Sequence, residues 1–555
     1  MLEASFELLV PYVVAAVIDT GIPCKDTSYI LKMCGILILL GIVGLASSIT
    51  AQYFSAKAAT GFAAKVRHAL FAQINSLSYQ ELDTVGTPTL ITRLTSDVNQ
   101  LQQGVNMVLR LFLRSPFIVF GAAIMAFTVD PGEAVTFVVT IPALSIVVFG
   151  IMVLSLPLYT KVQAALDRLL SKTRESLSGS RVIRAFNKQD ATVAQYEEQN
   201  ATLTALQMKA QRLSALMNPL TFVIVNLALI VLLYTGAINV NAGSLSQGKL
   251  VALVNYMSQI LVELVKLANL ILLIIKAIAC GKRVQAVLDL PSGQQVIPDN
   301  EDTSSSPDLV TFEHVSFTYQ HASTPALYDA DFHVRKGETI GIIGGTGSGK
   351  TTLVNLIPRF YDATEGRVLV SGHDVRSYEP SRLRQLIGIV PQSAMLFSGT
   401  IRENMLFACP DADDETIISA LRTAQAYDFV MEKENQLDTV LEQGGKNLSG
   451  GQRQRLTIAR ALVRKPQILI LDDSASALDY ATDARLRAAL KGMKDTTKFI
   501  VSQRTSSVME ADRILVMDDC HLIAQGTHEE LLSSCAVYRE IYETQFGGNR
   551  GEVTK

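Results

Sequence analysis

Apolar runs alternate with long basic segments through residues 1–280, and the pattern changes abruptly beyond them. A bilayer span needs roughly 20 mostly apolar residues, and five stretches meet that length: 29–50, 110–129, 134–158, 218–240 and 248–278. A sixth, 4–18, is shorter, contains Glu7 and Pro11, and begins within a few residues of Met1. It reads as the second half of a truncated first transmembrane helix. A signal peptide fits less well, because no basic segment leads it and no small-residue cleavage site precedes Asp19.

Lysine and arginine placement orients these spans. The segment between the second and third carries Lys57, Lys65, Arg67, Arg93, Arg110 and Arg114, and that between the fourth and fifth carries Lys161, Arg168, Arg181, Arg184, Lys209 and Arg212. Both are expected on the cytoplasmic side. The opposite connections, near Asp19–Thr27, Asp130–Glu133 and Asn239–Gly248, are short, poor in basic residues and expected outside. An even number of spans returns the C-terminal half to the cytoplasm.

The basic segments keep a helical period, as in Leu94, Val98, Leu101 and Val105. The spans are therefore expected to continue as long helices past the bilayer, ending in turns around 83–89 and 178–183, where Gly86, Pro88 and Gly179 supply the breaks. Asn226, Asn255, Glu263, Lys266, Asn269 and Lys276 lie within spans. Buried charge is costly in lipid, so they mark either a polar substrate path or hydrogen bonding between helices, and the two lysines fit a cytoplasmic extension of the last span.

Residues 289–308 are rich in Pro, Gly, Ser, Asp and Gln and lack periodicity, which marks a linker. The expected division is a transmembrane domain at 1–288, that linker, a nucleotide-binding domain at 309–545 and a tail at 546–555. Composition agrees with a membrane domain fused to a water-soluble one: mean hydropathy is +0.27 with 18% charged residues, and 555 residues exceed what one core usually serves. A net charge of -3 argues against nucleic acid as a partner. The cysteines, at 24, 34, 280, 409, 520 and 535, lack metal-ligand spacing and read as packing residues.

Beyond the linker, strands are expected at 309–315 and 338–343, followed by Gly344-Gly345-Thr346-Gly347-Ser348-Gly349-Lys350-Thr351 and a helix over 351–360. Gly, four residues, Gly-Lys-Thr between a strand and a helix is a phosphate-binding loop. Its glycines turn backbone N–H groups toward phosphate, Lys350 supplies a point charge, and Thr351 offers a hydroxyl to Mg²⁺.

Leu448-Ser449-Gly450-Gly451-Gln452, with Arg453-Gln454-Arg455 and Ala459-Arg460-Ala461-Leu462 behind it, resembles the signature of the ATP-binding cassette family. The likeness extends through the chain, to Ile18-Asp19-Thr20-Gly21-Ile22 and Ser180-Arg181-Val182-Ile183-Arg184-Ala185-Phe186. It implies an exporter-type fold, with six transmembrane helices, the first of them truncated, ahead of an α/β P-loop ATPase domain in the cytoplasm. It further implies ATP and Mg²⁺ as ligands. Tyr319 would stack on adenine, with Thr352 in the cradle; Gln392 would contact Mg²⁺ beside Thr351 and Asp472. Ser449, Gly450, Gly451 and Gln452 would cap ATP held by a second chain, and Ser476-Ala477-Leu478-Asp479 would cross to that chain's site. Glu442 lies where exporters touch the partner's cytoplasmic turns.

Two positions depart from the family pattern. Asp473 follows Asp472 where Glu is expected, and Gln503, in Val501-Ser502-Gln503-Arg504, stands where a γ-phosphate-sensing His is expected. Both fall in the catalytic set. The expectation is a subunit that binds ATP, hydrolyses it poorly, and lends an intact signature to a partner half-transporter in a heterodimer. A homodimeric exporter with slow ATPase and a non-transporting regulatory membrane protein are the alternatives. The resemblance points to a bacterial cytoplasmic membrane, with lipid around the spans and a small amphipathic drug, lipid or peptide as substrate.

Overall fold

The computed structural model describes residues 2–112, 114–291, 293–298, 307–320 and 322–546. It divides into two compact units, Met1–Gln73 with Pro88–Asp289, and Ile74–Thr87 with Leu290–Lys555. The partition is not linear in sequence: a short piece of the first half belongs with the second.

The first unit is helical throughout. Among the described residues, four helices are long and apolar enough to cross a membrane: Thr27–Ser76, Thr87–Val129, Pro131–Ser178 and Gln189–Asn241. Leu2–Ala16 is shorter, at 15 residues with Pro11 inside it. Gln247–Leu288 runs unbroken for 42 residues and sends Ala252, Leu253, Tyr256, Met257 and Ile260 into the core, against Leu8, Ile118, Phe137 and Leu232. Tyr256 is fully buried and can be so because its hydroxyl donates to Leu8 O at 2.7 Å. By contrast, the apolar span of Thr27–Ser76 buries none of its residues within this chain.

The polar residues of the spans separate into two groups. Asn226 and Asn255 turn their amides back to Phe222 O and Val251 O of their own helices, at 2.8 and 3.1 Å. Glu263 is 2% exposed and accepts from Ser115 Oγ at 2.7 Å and Lys266 Nζ at 2.9 Å. Arg114 completes this cluster, 2.7 Å from Glu7, 3.6 Å from Glu3 and 3.9 Å from Glu263.

The helices do continue far past bilayer length, but the turns differ from the expected positions. The first begins at Leu77, because Ser78 and Glu81 form a reciprocal cap that opens the short helix Tyr79–Val85, closed by Gly86 at φ 77°. The second runs on through Ser180–Ala185 to Asn187, whose φ of 52° resets the chain before the helix Gln189–Ala215.

The second unit is built on a ten-stranded sheet. Its strands are β1 (Asp308–Phe317), β2 (Leu327–Arg335), β3 (Thr339–Gly344), β4 (Glu365–Val370), β5 (His373–Asp374), β6 (Ile387–Val390), β9 (Ile468–Asp472), β10 (Thr497–Val501), β11 (Arg513–Asp518) and β12 (His521–Gly526), in the order 5-4-1-2-12-11-3-10-9-6. Two short strands, β7 (Gly399–Thr400) and β8 (Val440–Leu441), pair separately. The run 11-3-10-9-6 is parallel, and β9 is buried at every position, as a strand covered on both faces must be. The other half, β1 with β2, β4 with β1 and β5 with β4, is antiparallel.

Two expected elements are corrected. The strand before the phosphate loop is the third, not the second, since Leu327–Arg335 intervenes. Its inward set, Leu327, Ala330, Phe332 and Val334, is broken by an irregular step at Asp329, φ 45°, which hides the alternation. The helix after the loop ends at Leu356, not Phe360. Ile357 keeps helical angles, but Pro358 has no N–H to continue the ladder, and Arg359 has φ 51°.

Candidate functional site

Because β3, β10 and β9 are parallel neighbours, their C-terminal ends open on the same side, where ligands of such sheets bind. Val501 is in register with both Ile342 and Asp472. The chain therefore brings together the loop after Gly344, the pair Asp472-Asp473 and the segment Ser502-Gln503, although they are far apart in sequence. They line one cavity of about 360 Å³, with Tyr319, Thr346, Gly347, Gly349, Lys350, Thr351, Thr352 and Gln392.

The loop needs its glycines for space and for conformation. A Cβ on Gly344 would collide with Met517 O. At Gly349, φ is 89° and a Cβ would meet Ala326 O at 2.5 Å. Gly347, φ 84°, faces open space, as does Gly345. Lys350 is 8% exposed, and its ammonium donates to Gly344 O at 3.0 Å, Gly345 O at 2.5 Å and Ser348 Oγ at 3.3 Å. Burial holds the Lys350 pKa below its ordinary value, opposed by Asp473 and Asp472.

Thr351 Oγ1 donates to Asp472 Oδ1 at 3.0 Å, so hydroxyl and carboxylate already face each other as a shared Mg²⁺ site requires. Burial raises the Asp472 carboxyl, and the neighbouring Asp473 adds to it. Burial raises Asp473 as well, against Gln392, Lys350 and Arg504. Asp473 has φ 45°, fixed by its N–H on Val501 O at 3.0 Å. Its side chain meets exposed Gln392 at 3.5 Å. Gln503 is exposed at the rim, and its main-chain oxygen accepts from Gln545 Nε2 at 2.7 Å. Tyr319 shares a hydrogen bond with Thr352 Oγ1 at 3.1 Å.

A second set lies apart from this cavity. Ser449 caps the helix Gly450–Val463 in a reciprocal box with Gln452, and Arg453 Nη1 donates to Leu448 O at 2.7 Å. Ser449 and Gly450 are exposed, with Gly451 and Gln452 half-buried. Asp479, also exposed, caps Tyr480–Lys491 through Thr482 N, at 2.9 Å. That bond and Thr482 Oγ1 hold its carboxyl below the usual range. Glu442 is exposed before Gly444 and Gly445, both at positive φ. Among the described residues, none of these lines the cavity at Lys350.

Comparison with known proteins decides what this assembly is. A family model of the ABC transporter transmembrane region matches residues 1–264, and that of the ABC transporter matches 327–476. The ABC transporter ATP-binding protein YfiB of Bacillus subtilis is 36% identical over 550 residues, covering 99% of this chain and 96% of its own. The chain belongs to the ABC transporters. The ATP-dependent lipid A-core flippase of Salmonella typhimurium is 30% identical over 553 residues, 99% of this chain and 94% of the flippase. The structure of a bacterial Atm1-family ABC exporter with ATP bound superimposes with a TM-score of 0.80 at 23% identity, covering 100% of this chain and 97% of that one, which establishes the exporter fold. This ABC half-transporter is a multi-pass membrane protein with a cytoplasmic ATPase domain.

Motif spacing left out the braces of the ABC site. Gln545 supports the segment from Gln503 to Thr505, also accepting from Thr505 N at 2.8 Å. Arg504 donates to Ser476 O at 3.2 Å, and Ser476 Oγ donates to Asp473 O at 2.8 Å. Each of these contacts has a backbone atom as one partner, and those of Gln545 and Arg504 also join residues far apart in sequence, so they leave no residue-type signal.

Proposed function

We propose that this chain is the hydrolysis-impaired half of a heterodimeric ABC exporter, holding ATP at its own phosphate loop and completing the active site of a partner half-transporter. The reading rests on Asp473. It occupies the position after Asp472 at the end of β9, the place of a general base, with a carboxylate one carbon short of Glu. Removing one carbon withdraws the oxygens by about 1.5 Å, and misplacement of about 1 Å costs on the order of 100-fold in rate. Gln503 adds to the loss. Its amide can hydrogen-bond a phosphate but lacks the imidazole of the expected His.

Binding is supported by what remains intact. Lys350 and the glycine loop would hold the phosphates, Tyr319 the adenine, and Thr351, Asp472 and Gln392 a Mg²⁺ ion. That ion would neutralise charge between the β- and γ-phosphates when bound. Exposed Ser449, with its helix N-terminus, is available to a second chain. ATP retained at Lys350 would act as a clamp while the partner's site turns over. The substrate in this reading is a small amphipathic drug, lipid or peptide, and relatives named as lipid A-core flippases favour the lipid class.

ATPase activity of the chain alone and with its gene-neighbour partner, reconstituted in lipid, tests the proposal. A nearly inactive lone chain, an active pair, and loss of turnover on removing the partner's catalytic Glu are expected. Brisk hydrolysis by the lone chain would make Asp473 a sufficient base and the protein a homodimeric exporter. ATP-driven conformational change with no substrate movement would indicate a regulator instead.

A further inference from the structure

The cytoplasmic turn Tyr79–Val85 packs within the ATPase unit, and it is held there at distinct points. Tyr79 stacks on Phe360, centroids 4.3 Å apart at 22°. One turn of helix later, Asp83 Oδ2 accepts from Tyr361 Oη at 2.6 Å. Among the described residues no ion pair involves Asp83, so its charge is spent on that phenol. A hydrogen bond to a carboxylate is a strong and directional one, and burial, with Asp83 after it, holds Tyr361 protonated far above the usual phenol range.

The Tyr361 ring then meets Tyr319 edge to face, 5.3 Å between centroids at 81°. Tyr319 is in turn tied to Thr352, the third residue of the loop helix, at 3.1 Å. The Tyr361 ring also meets Phe317 at 5.4 Å and 48°, but a cavity of about 210 Å³ opens between Asp83, Thr84, Tyr361 and Tyr319, so on that side a hydrogen bond rather than packing holds the ring.

We propose that Asp83 and Tyr361 form a link through which the turn 79–85 sets the position of the nucleotide-facing ring of Tyr319, making Asp83 a positioning residue for ATP. The inference rests on the reading of Tyr319 as the adenine platform. Coupling of this kind is reciprocal: if the turn biases Tyr319, a base on Tyr319 biases the turn by the same factor. The turn continues by chain into Thr27–Ser76 on one side and Thr87–Thr92 on the other, so nucleotide occupancy would be felt where the first of these helices ends and the second begins. Since Tyr79 on Phe360 is a separate anchor, losing the Asp83 bond leaves the turn docked.

The experiment is displacement of a photoreactive ATP analogue from this chain within the assembled transporter in lipid, by ATP and by tripolyphosphate, which carries no base. The variants are Asp83→Ala, Tyr361→Phe, both together, and Tyr319→Ala as reference. Each single change is expected to weaken ATP roughly three- to tenfold, the net scale of one lost hydrogen bond. The double variant should be no worse than either single, and tripolyphosphate should stay within about twofold of the parent. If Tyr319→Ala weakens ATP but Asp83→Ala does not, the link is refuted while the platform stands. Additive singles, or tripolyphosphate falling in parallel with ATP, would mean general loosening of the fold and would also refute it. ATP affinity untouched by Tyr319→Ala would overturn the platform reading itself, and the link with it.

Discussion

Gln392 Nε2 stands 3.5 Å from Asp473 Oδ2, at the long limit of a hydrogen bond. Glu at 473 would carry its carboxylate about one bond further into the cavity they share. In a complex whose partner lacks its own catalytic Glu, Asp473→Glu with Gln503→His is expected to raise single-turnover hydrolysis on this chain by about 10- to 100-fold. ATP affinity should stay within a few-fold, because Lys350 and Thr351 are untouched. An unchanged rate would show that the defect lies outside these two side chains.

Asp472 and Asp473 make the ATPase unit sensitive to pH in a direction that follows from their shifts. Both carboxyls are raised, chiefly by burial. A raised pKa means that the folded state holds the proton more tightly than the unfolded chain. Their contribution to stability is therefore present on the acid side of the ordinary Asp range and lost as pH rises through the shifted values. Above the shifted values the ionised pair burdens the nucleotide-free fold. Asp472→Asn keeps an oxygen acceptor for Thr351 and removes the charge. The variant should melt a few degrees above the parent at about pH 8, with the gap closing as pH falls. It should also lose the Mg²⁺-dependent part of stabilisation by ATP. A variant that melts lower at every pH would place the value of Asp472 in the Thr351 contact instead.

The parallel core and its site were legible in the chain because each strand end carries its own chemistry. Gly344 to Thr351 follows β3, Asp472 closes β9, and Gln503 follows β10; adjacency of these strands then does the rest. Leu327–Arg335 was not legible, because its far face carries Tyr328, Asp329, Asp331 and His333 and its alternation is interrupted at Asp329. The start of the first cytoplasmic turn was hidden for a different reason. Gly86 and Pro88 are loud breakers, whereas the turn is opened by a Ser78 and Glu81 cap, a pairing that occurs wherever a helix begins. Asp83 and Tyr361 carry no motif, and only the fold brings them together across 278 residues.

Ser449 has two separable roles. Its hydroxyl accepts from Gln452 N to cap the helix Gly450–Val463, and in the proposed complex it faces the partner's ATP. Ser449→Ala removes both and should cost about 1 kcal/mol of stability through the cap alone. Ser449→Asp preserves the cap, Asp being as good there as Ser, but sets a negative charge toward phosphate. Its melting temperature should match the parent while turnover of the pair collapses. If the Asp variant instead turns over normally, Ser449 is a cap and nothing more.

Arg114 is the shared cation of the helical unit, meeting Glu7, Glu3 and Glu263, whereas Lys266 meets Glu263 alone and is 47% exposed. Removing one partner of a buried ion pair costs about 3–5 kcal/mol, mostly the penalty of the charge left behind. Arg114→Met is therefore expected to lower the thermal midpoint far more than Lys266→Met, and the second change Glu263→Gln should recover part of the loss. Glu263→Gln alone should be mild, since its amide oxygen still accepts from Ser115 and Arg114 keeps Glu7. Thermal unfolding of the parent and the four variants in one detergent gives the comparison. Equal losses for Arg114→Met and Lys266→Met, without rescue, would show that Glu263 is balanced by its neighbouring lysine and that Arg114 serves only the Leu2–Ala16 helix.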